Sequence, residues 1–145
     1  MKTINQFVIV DDDADDRYTM IQAFMQHGVS GSRFFEDGRL FLKWLNLIRT
    51  DRSSYPDFIL LDYYMPSMSG ECILKALKND PAFASIPVLV YSSQMTSDKK
   101  TRLLEIGASG CLLKPFRDSE AITIAGDILY CIDRKRLPDP VSAIR

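Results

Sequence analysis

Four short apolar segments of the sequence each end in residues that can do chemistry. These residues supply three carboxylates, one hydroxyl and one ammonium group: Asp11, Asp12, Asp62, Ser92 and Lys114. Two unit charges about 4 Å apart repel by roughly 4 kcal/mol at an effective dielectric constant near 20, so neighbouring carboxylates need a counterion. An all-oxygen site with open positions for water and phosphate is typical of Mg²⁺. The sequence therefore predicts a magnesium site, with Lys114 as a second, fixed positive charge.

The same residues suggest phosphoryl transfer. A carboxylate beside a bound cation can attack a phosphoryl group and become an aspartyl phosphate. The metal, Lys114 and the hydroxyl of Ser92 would share the charge on the transferred oxygens, which is most of what this catalysis requires. Asp62 is the predicted phosphoacceptor because it is the acid that ends a strongly apolar segment. Asp11 and Asp12 form a pair that is better suited to holding the metal.

Strands of a parallel sheet are the elements that could bring these residues together. The apolar segments are FVIV (7–10), RFF (33–35), FILL (58–61), VLVY (88–91) and CLL (111–113). Most are continuously apolar, as expected for strands that are buried on both faces. Amphipathic stretches separate them, so strand and helix alternate five times. This pattern predicts an α/β fold, a doubly wound five-stranded parallel sheet with helices on both faces and its ligand site at the carboxyl ends of the strands.

Helix boundaries have their own signals. Asp37 is a predicted N-cap, Gly107 is a predicted helix end, and the third helix is expected to stop before Pro81. In the first helix, apolar residues recur at helical spacing at Ala14, Tyr18, Ile21 and Met25. Several acids are predicted to favour the N-terminus of that helix through its dipole, namely Asp13, Asp15 and Asp16.

Composition excludes several classes of function. The chain has 145 residues, of which 46% are hydrophobic and 26% charged, as is usual for one soluble globular domain. A net charge of -1 gives no electrostatic support for binding nucleic acid. The apolar segment near the N-terminus is too short for a signal peptide or a membrane span. The three cysteines have no Cys-x-x-Cys spacing, so we expect reduced thiols. Together, the charge, the short apolar segment and the cysteines predict a cytoplasmic location and no membrane or nucleic-acid partner.

Four motifs, in this order, give the sequence a family resemblance: VIVDDD, LLDYYMPSMSG, IPVLVYSS and GASGCLLKPF. The chain resembles a response-regulator receiver domain of two-component signalling, of the chemotaxis-regulator type, from about Phe7 to Ile132. The resemblance implies the flavodoxin-like strand order 2-1-3-4-5. It predicts a receiver domain over residues 1–136 and a short tail over 137–145, with no output domain. It also implies that the chain is no enzyme beyond catalysing its own phosphorylation and dephosphorylation.

The resemblance assigns roles to individual residues. Asp62 would accept a phosphoryl group from a histidine kinase or phosphotransfer protein. The implied Mg²⁺ ligands are Asp11, Asp12, Asp62 and the backbone carbonyl of Tyr64. Ser92 and Lys114 would bind the phosphate and operate the switch, and the Lys114–Pro115 bond would be cis, which proline permits. Output would pass through a phosphorylation-dependent surface to a downstream protein or to a second copy of the chain.

Cys111 departs from the usual family pattern, and Tyr64 bears on the rate at which the phosphate is lost. Cys111 stands where the family usually has an aromatic residue that turns inward on activation, so the usual aromatic coupling is not expected. Tyr64 is bulky at a position that helps to set how fast the phosphate is lost, and slow hydrolysis is predicted.

Two other functions remain open on the sequence. A phosphohydrolase of the haloacid dehalogenase type also uses a strand-end Asp, but it normally carries a second acid where this chain has Tyr64. Its acidic pair also comes late in the chain, whereas Asp11 and Asp12 come early. A phosphate-independent binding module with the receiver fold ranks last, because all the residues that phosphorylation requires are present.

Overall fold

The structure, a computed structural model, describes residue 4 and residues 6–133. This part of the chain is built around one parallel sheet. Its strands are Phe7–Val10 (β1), Ser32–Phe35 (β2), Ile59–Asp62 (β3), Val88–Ser92 (β4) and Gly110–Leu113 (β5). The helices are Ala14–Gln26 (α1), Gly38–Leu47 (α2), Gly70–Lys78 (α3), Ser97–Ile106 (α4) and Asp118–Asp133 (α5). A short 3-10 helix at Arg52–Ser54 precedes β3. The predicted domain boundary at residue 136 and the tail 137–145 lie outside the described residues.

The strand order places the carboxyl ends of four strands side by side. All pairings are parallel and the order is β2-β1-β3-β4-β5, which confirms the predicted order. In register, Asp62 lies opposite Tyr91, and Ser92 lies opposite Leu113. Lys114 continues this pattern, since its backbone N–H donates to the carbonyl of Ser92 at 2.9 Å. The residues that follow β1, β3, β4 and β5 therefore meet at one edge of the sheet.

Both faces of the sheet are buried, each against its own helices. Adjacent strand residues point to opposite faces, so Phe7 and Ile9 pack with α1 and α5, while Val8 and Val10 pack with α2, α3 and α4. The rings of Phe7 and Phe24 lie 4.5 Å apart between their centroids. Each large apolar side chain buried in this way contributes about 1.5–3 kcal/mol to folding. Burial on both faces explains why most of the strand segments are continuously apolar.

The second strand differs from the others. Ser32–Phe35 is mostly exposed, because it forms one edge of the sheet. Phe34 is exposed, and the guanidinium of Arg17 lies over its ring, 4.6 Å from the centroid. Burial on both faces, which the apolar character of RFF suggested, does not hold for this strand.

Most predicted helix ends are confirmed. The Asp37 carboxylate caps α2 by accepting from the backbone N–H groups of Arg39 and Leu40, at 2.6 and 3.4 Å. Helix α4 ends at Gly107, which has a φ of 130°, a conformation that favours glycine. Helix α3 ends at Lys78, before Pro81. None of the helices within residues 6–133 has both the length and the apolar character of a bilayer span.

The apolar spacing in α1 misidentified part of its buried side. Tyr18 and Met25 are exposed, and the helix instead buries Met20, Ala23 and Phe24. Because α1 packs against both the sheet and α5, its contact surface is displaced from the one that the spacing suggested.

Candidate functional site

Three carboxylates meet where β1 and β3 end. Oxygens of Asp11, Asp12 and Asp62 lie within 4.8 Å of one another. Asp11 is fully buried and Asp62 is 3% exposed, whereas Asp12 is exposed. Carboxylates that are this close and poorly hydrated repel one another, and a set of oxygen donors with an exposed side suits a hard divalent cation such as Mg²⁺. The residues present therefore fit the metal that the sequence predicted.

Asp11 accepts hydrogen bonds at both carboxylate oxygens and at its backbone carbonyl. Its Oδ1 accepts from the backbone N–H of Asp13 at 2.9 Å, and its Oδ2 accepts from the hydroxyl of Tyr91. Its backbone carbonyl accepts from Arg17 Nη1 at 2.8 Å. Burial and the charge of Asp11 raise the pKa of Tyr91 well above its ordinary value, so the phenol remains protonated and donates. The orientation of this buried carboxylate is thus determined by its hydrogen bonds.

Lys114 supplies the fixed positive charge. Its Nζ lies 2.7 Å from Asp16 Oδ2, 3.2 Å from Asp11 Oδ2 and 3.3 Å from Asp62 Oδ2. Burial acts to lower the pKa of Lys114, but the hydrogen bond to Asp16 and the charges of Asp11 and Asp62 outweigh it, so the pKa is raised. The ammonium group therefore stays charged at physiological pH.

The carboxyl group of Asp62 has a pKa far from its ordinary value. Burial, and then the charge of Asp11, raise its pKa to about 7, although Lys114 acts in the opposite direction. Its Oδ1 also accepts from the backbone N–H of Tyr64 at 3.3 Å. Without a bound metal ion, Asp62 therefore holds a proton more readily than an ordinary aspartate does.

The two predicted switch residues lie in different surroundings. Ser92 ends β4, is fully buried, and accepts from the backbone N–H of Gln94 at 3.2 Å. Cys111 lies opposite Val90 in β5, within the apolar cluster that α2, α3 and α4 cover. Burial raises the pKa of the Cys111 thiol to about 11, so it remains neutral. Ser92 thus lies at the carboxyl edge of the sheet, while Cys111 is part of the core.

A buried lysine, Lys99, connects Tyr64 by hydrogen bonds to the loop that follows β4. The Tyr64 side chain is exposed, and its hydroxyl accepts from Lys99 Nζ at 2.8 Å. Lys99 is only 8% exposed, donates to the carbonyl of Gln94 at 3.0 Å, and lies 4.3 Å from the ring centroid of Tyr63. This cation joins the loop after β3 to the loop after β4.

The predicted cis peptide is wrong. The Lys114–Pro115 bond is trans, as are the other peptide bonds of the described chain. The trans isomer is intrinsically favoured by about 0.5–1 kcal/mol before proline. From this trans backbone, Lys114 reaches the carboxylates of Asp11, Asp16 and Asp62.

Sequence reasoning missed two residues of the site. Asp16 was expected only to favour the helix dipole, yet its carboxylate is the nearest partner of Lys114. Tyr91 was treated only as part of an apolar strand, yet it bonds Asp11. The signal for Tyr91 was its hydroxyl, the polar group of the segment VLVY, directly before Ser92.

Comparison with known proteins agrees with this geometry. Residues 7–125 match the response regulator receiver domain family. The chain is 30% identical to the two-component response regulator ARR8 of Arabidopsis thaliana, over 98% of this chain and 69% of that protein. It is 33% identical to the two-component response regulator ORR7 of Oryza sativa subsp. indica, over 83% of this chain and 53% of that protein. The chain thus spans about half to two thirds of the length of these relatives.

Solved structures share the same architecture. The phosphorylated cyanobacterial phytochrome response regulator RcpA has a TM-score of 0.80 at 24% identity, with 94% of this chain and 100% of that chain covered. The chemotaxis response regulator CheY4 of Vibrio cholerae has a TM-score of 0.72 at 25% identity, with 90% and 99% covered. These structures support the fold, whereas the family match and the two plant relatives support a signalling family and give no support to the phosphohydrolase alternative. The chain belongs to the response regulator receiver domain family of two-component signalling.

Proposed function

We propose that this chain is a response regulator that accepts a phosphoryl group on Asp62 from a histidine kinase or phosphotransfer protein. One observation carries the proposal: a buried carboxylate at the end of β3 lies 3.3 Å from a lysine ammonium and beside two further acids. The ammonium can neutralise a phosphoryl oxygen, and the acids can hold a cation. Family membership supports the same activity.

The transfer reaction follows from these groups. A carboxylate oxygen of Asp62 forms a bond to phosphorus while the phosphorus–nitrogen bond of a phosphohistidine breaks, and the imidazole leaves with that electron pair. Lys114 exchanges part of its contact with the carboxylates for a phosphoryl oxygen. The hydroxyl of Ser92, at the end of the neighbouring strand, donates to another phosphoryl oxygen.

A magnesium ion belongs to this proposal. Asp11, Asp12, Asp62 and the backbone carbonyl of Tyr64 would hold it. When bound, Mg²⁺ would neutralise charge on the carboxylates and on the transferred oxygens. The buried acid pair supports this assignment, since Asp11 and Asp62 share Lys114 as a counterion although each is almost fully buried.

Output is proposed to depend on the loop after β4. Movement of Ser92 toward a phosphoryl group would pull on Gln94, whose backbone N–H donates to the Ser92 hydroxyl. Gln94 is bonded in turn to Lys99 of α4, so the movement would reach a surface helix. This route needs no aromatic residue at the position of Cys111. The partner that binds this surface would be a downstream protein or a second copy of the chain.

The remaining predictions also belong to this proposal. A receiver domain over residues 1–136 is supported by the match of residues 7–125. A cytoplasmic location is supported by the reduced thiols of Cys72 and Cys111, since oxidising compartments favour disulfides.

The test is a measurement of intact mass after incubation with Mg²⁺ and acetyl phosphate. Wild type is expected to gain one phosphoryl group, and Asp62→Asn none. Asp127→Asn, a change of the same kind on α5, is expected to behave as wild type. Chelation of Mg²⁺ should abolish the gain. A wild-type protein that gains no mass, or an Asp62→Asn variant that still gains it, would overturn the proposal.

A further inference from the structure

Tyr91 is a buried polar residue that has no role in the phosphoryl-transfer step proposed above. It lies next to Ser92 at the end of β4 and opposite Asp62 in β3, and its side chain is fully buried. Because adjacent strand residues alternate, Tyr91 faces α1 and α5, away from the face of Val90. A phenol buried there needs a hydrogen-bond partner, and its partner is the Asp11 carboxylate.

We propose that Tyr91 is a positioning residue for the metal ligand Asp11. Its hydroxyl donates to Oδ2 while the backbone N–H of Asp13 donates to Oδ1, so both oxygens of the carboxylate are oriented before a cation arrives. Hydrogen bonds to a ligating carboxylate fix its direction and strengthen metal binding. This inference rests on the proposed function, since it concerns the same magnesium site.

Lys114 cannot take over this role. Its ammonium also contacts Asp11 Oδ2, at 3.2 Å, but it is shared with Asp16 and Asp62. During phosphoryl transfer the ammonium is needed at a phosphoryl oxygen, which weakens its hold on Asp11. Asp11 is fully buried, so its orientation then depends on its other protein donors, the Tyr91 hydroxyl and the backbone N–H of Asp13. The Tyr91 hydroxyl is neutral and needs no exchange of partners, and it therefore holds Asp11 throughout the reaction.

The ring of Tyr91 makes a second contact with the site. Lys114 Nζ lies 4.9 Å from the ring centroid, within the range of a cation–π interaction. The same ring packs in the core between the sheet and the helices α1 and α5. Tyr91→Phe is therefore a selective variant: it keeps the ring, the packing and the contact with Lys114, and it removes only the hydroxyl.

The experiment measures Mg²⁺ binding directly by isothermal titration calorimetry, without a phosphodonor. Tyr91→Phe is expected to raise the Kd for Mg²⁺ about tenfold, the lower end of the effect of removing an outer-shell partner. With acetyl phosphate, the Mg²⁺ concentration for half-maximal phosphorylation should rise in parallel. The rate at saturating Mg²⁺ should change by less than about threefold, because a lost ground-state contact weakens binding more than the chemical step. Tyr130→Phe on α5 is the matched control and should change neither quantity.

The outcomes separate this inference from the proposed function. Wild type that neither binds Mg²⁺ nor becomes phosphorylated would overturn the proposed function. Wild type that does both, together with a Tyr91→Phe variant of unchanged Kd, would overturn only the role of Tyr91. A Tyr91→Phe variant whose saturating rate and Tm both fall while its Kd stays normal would show a structural role and would also overturn it. Tyr91→Leu, which removes the ring as well, must weaken Mg²⁺ binding at least as much as Tyr91→Phe.

Discussion

The ammonium of Lys114 lies 3.3 Å from Oδ2 of Asp62, although β4 lies between β3, which ends at Asp62, and β5, which Lys114 follows. The same ammonium is closer to Asp16, at 2.7 Å. Lys114 is thus the common counterion of a cluster of acids, and only part of its charge is available to Asp62. A bound cation would neutralise part of the charge of these acids and leave the ammonium free to contact a phosphoryl oxygen.

Removal of that ammonium should destabilise the metal-free protein. We expect Lys114→Gln to lower the free energy of unfolding by about 3 kcal/mol, because buried carboxylates would lose their charged partner. Denaturation by urea in the presence of a chelator measures this change. Lys75→Gln removes a lysine from an exposed ion pair with Glu71 and should cost less than about 1 kcal/mol. Equal effects of the two substitutions would contradict the assigned role of Lys114.

The stability of the metal-free protein should depend on the protonation of Asp62. Its pKa in the folded state, about 7, lies above the ordinary value of 3.8. The contribution of the Asp62 carboxyl group to stability is therefore fully present below about pH 4 and is lost as the pH rises through 7. Relative to wild type, Asp62→Asn should become more stable over this interval, by up to a few kcal/mol since each pKa unit corresponds to about 1.4 kcal/mol.

Thermal unfolding of both proteins between pH 4 and pH 8, with a chelator, tests this dependence. Saturating Mg²⁺ is the control, because a bound cation stabilises the ionised Asp62 and should remove the advantage of Asp62→Asn at high pH. A difference in Tm between the two metal-free proteins that does not change with pH would contradict the raised pKa.

The phosphorylated protein should lose its phosphate slowly because Tyr64 is bulky and held in place. Its hydroxyl is bonded to the buried Lys99, so the phenol is restrained at the loop that follows Asp62. We expect Tyr64→Ala to shorten the lifetime of the aspartyl phosphate several-fold, as water gains access. Loss of the phosphoryl mass after removal of the donor measures this lifetime. Tyr18→Ala on α1 is the control, and an unchanged lifetime in Tyr64→Ala would refute the prediction.

The backbone at the end of β3 lies so close to position 70 that only glycine fits there without a shift. A Cβ atom at this position would lie 2.4 Å from the backbone oxygen of Asp62 and 2.9 Å from the Cα of Tyr63. We expect Gly70→Ala to destabilise the protein by about 1–3 kcal/mol, as overpacking does. It should also slow phosphorylation, because the end of β3 must move. Lys75→Ala, in the same helix, is the control for urea denaturation and for the phosphorylation rate.

Short sequence patterns determine the strands, the helix ends and the edge of the sheet where the site lies. Apolar segments of three or four residues, such as FVIV and FILL, specify buried strands, and Asp37 and Gly107 specify helix ends, because these features depend only on neighbours along the chain. The positions of Asp11, Asp62 and Lys114 at strand ends follow from the same pattern, since parallel strands share one carboxyl edge. Together with the resemblance of the four motifs, this was sufficient to predict the strand order and the edge where the site lies.

Only the tertiary structure decided which polar atoms meet. The bond from Tyr91 to Asp11 depends on the register of separate strands, and that from Asp16 to Lys114 depends on how α1 lies over the sheet. Lys99 contacts Tyr64 because the loop after β3 lies close to the start of α4, and no local sequence pattern indicates this contact. Contacts of this kind form between residues that are distant in the chain, so their geometry is determined by the packing of helices on the sheet.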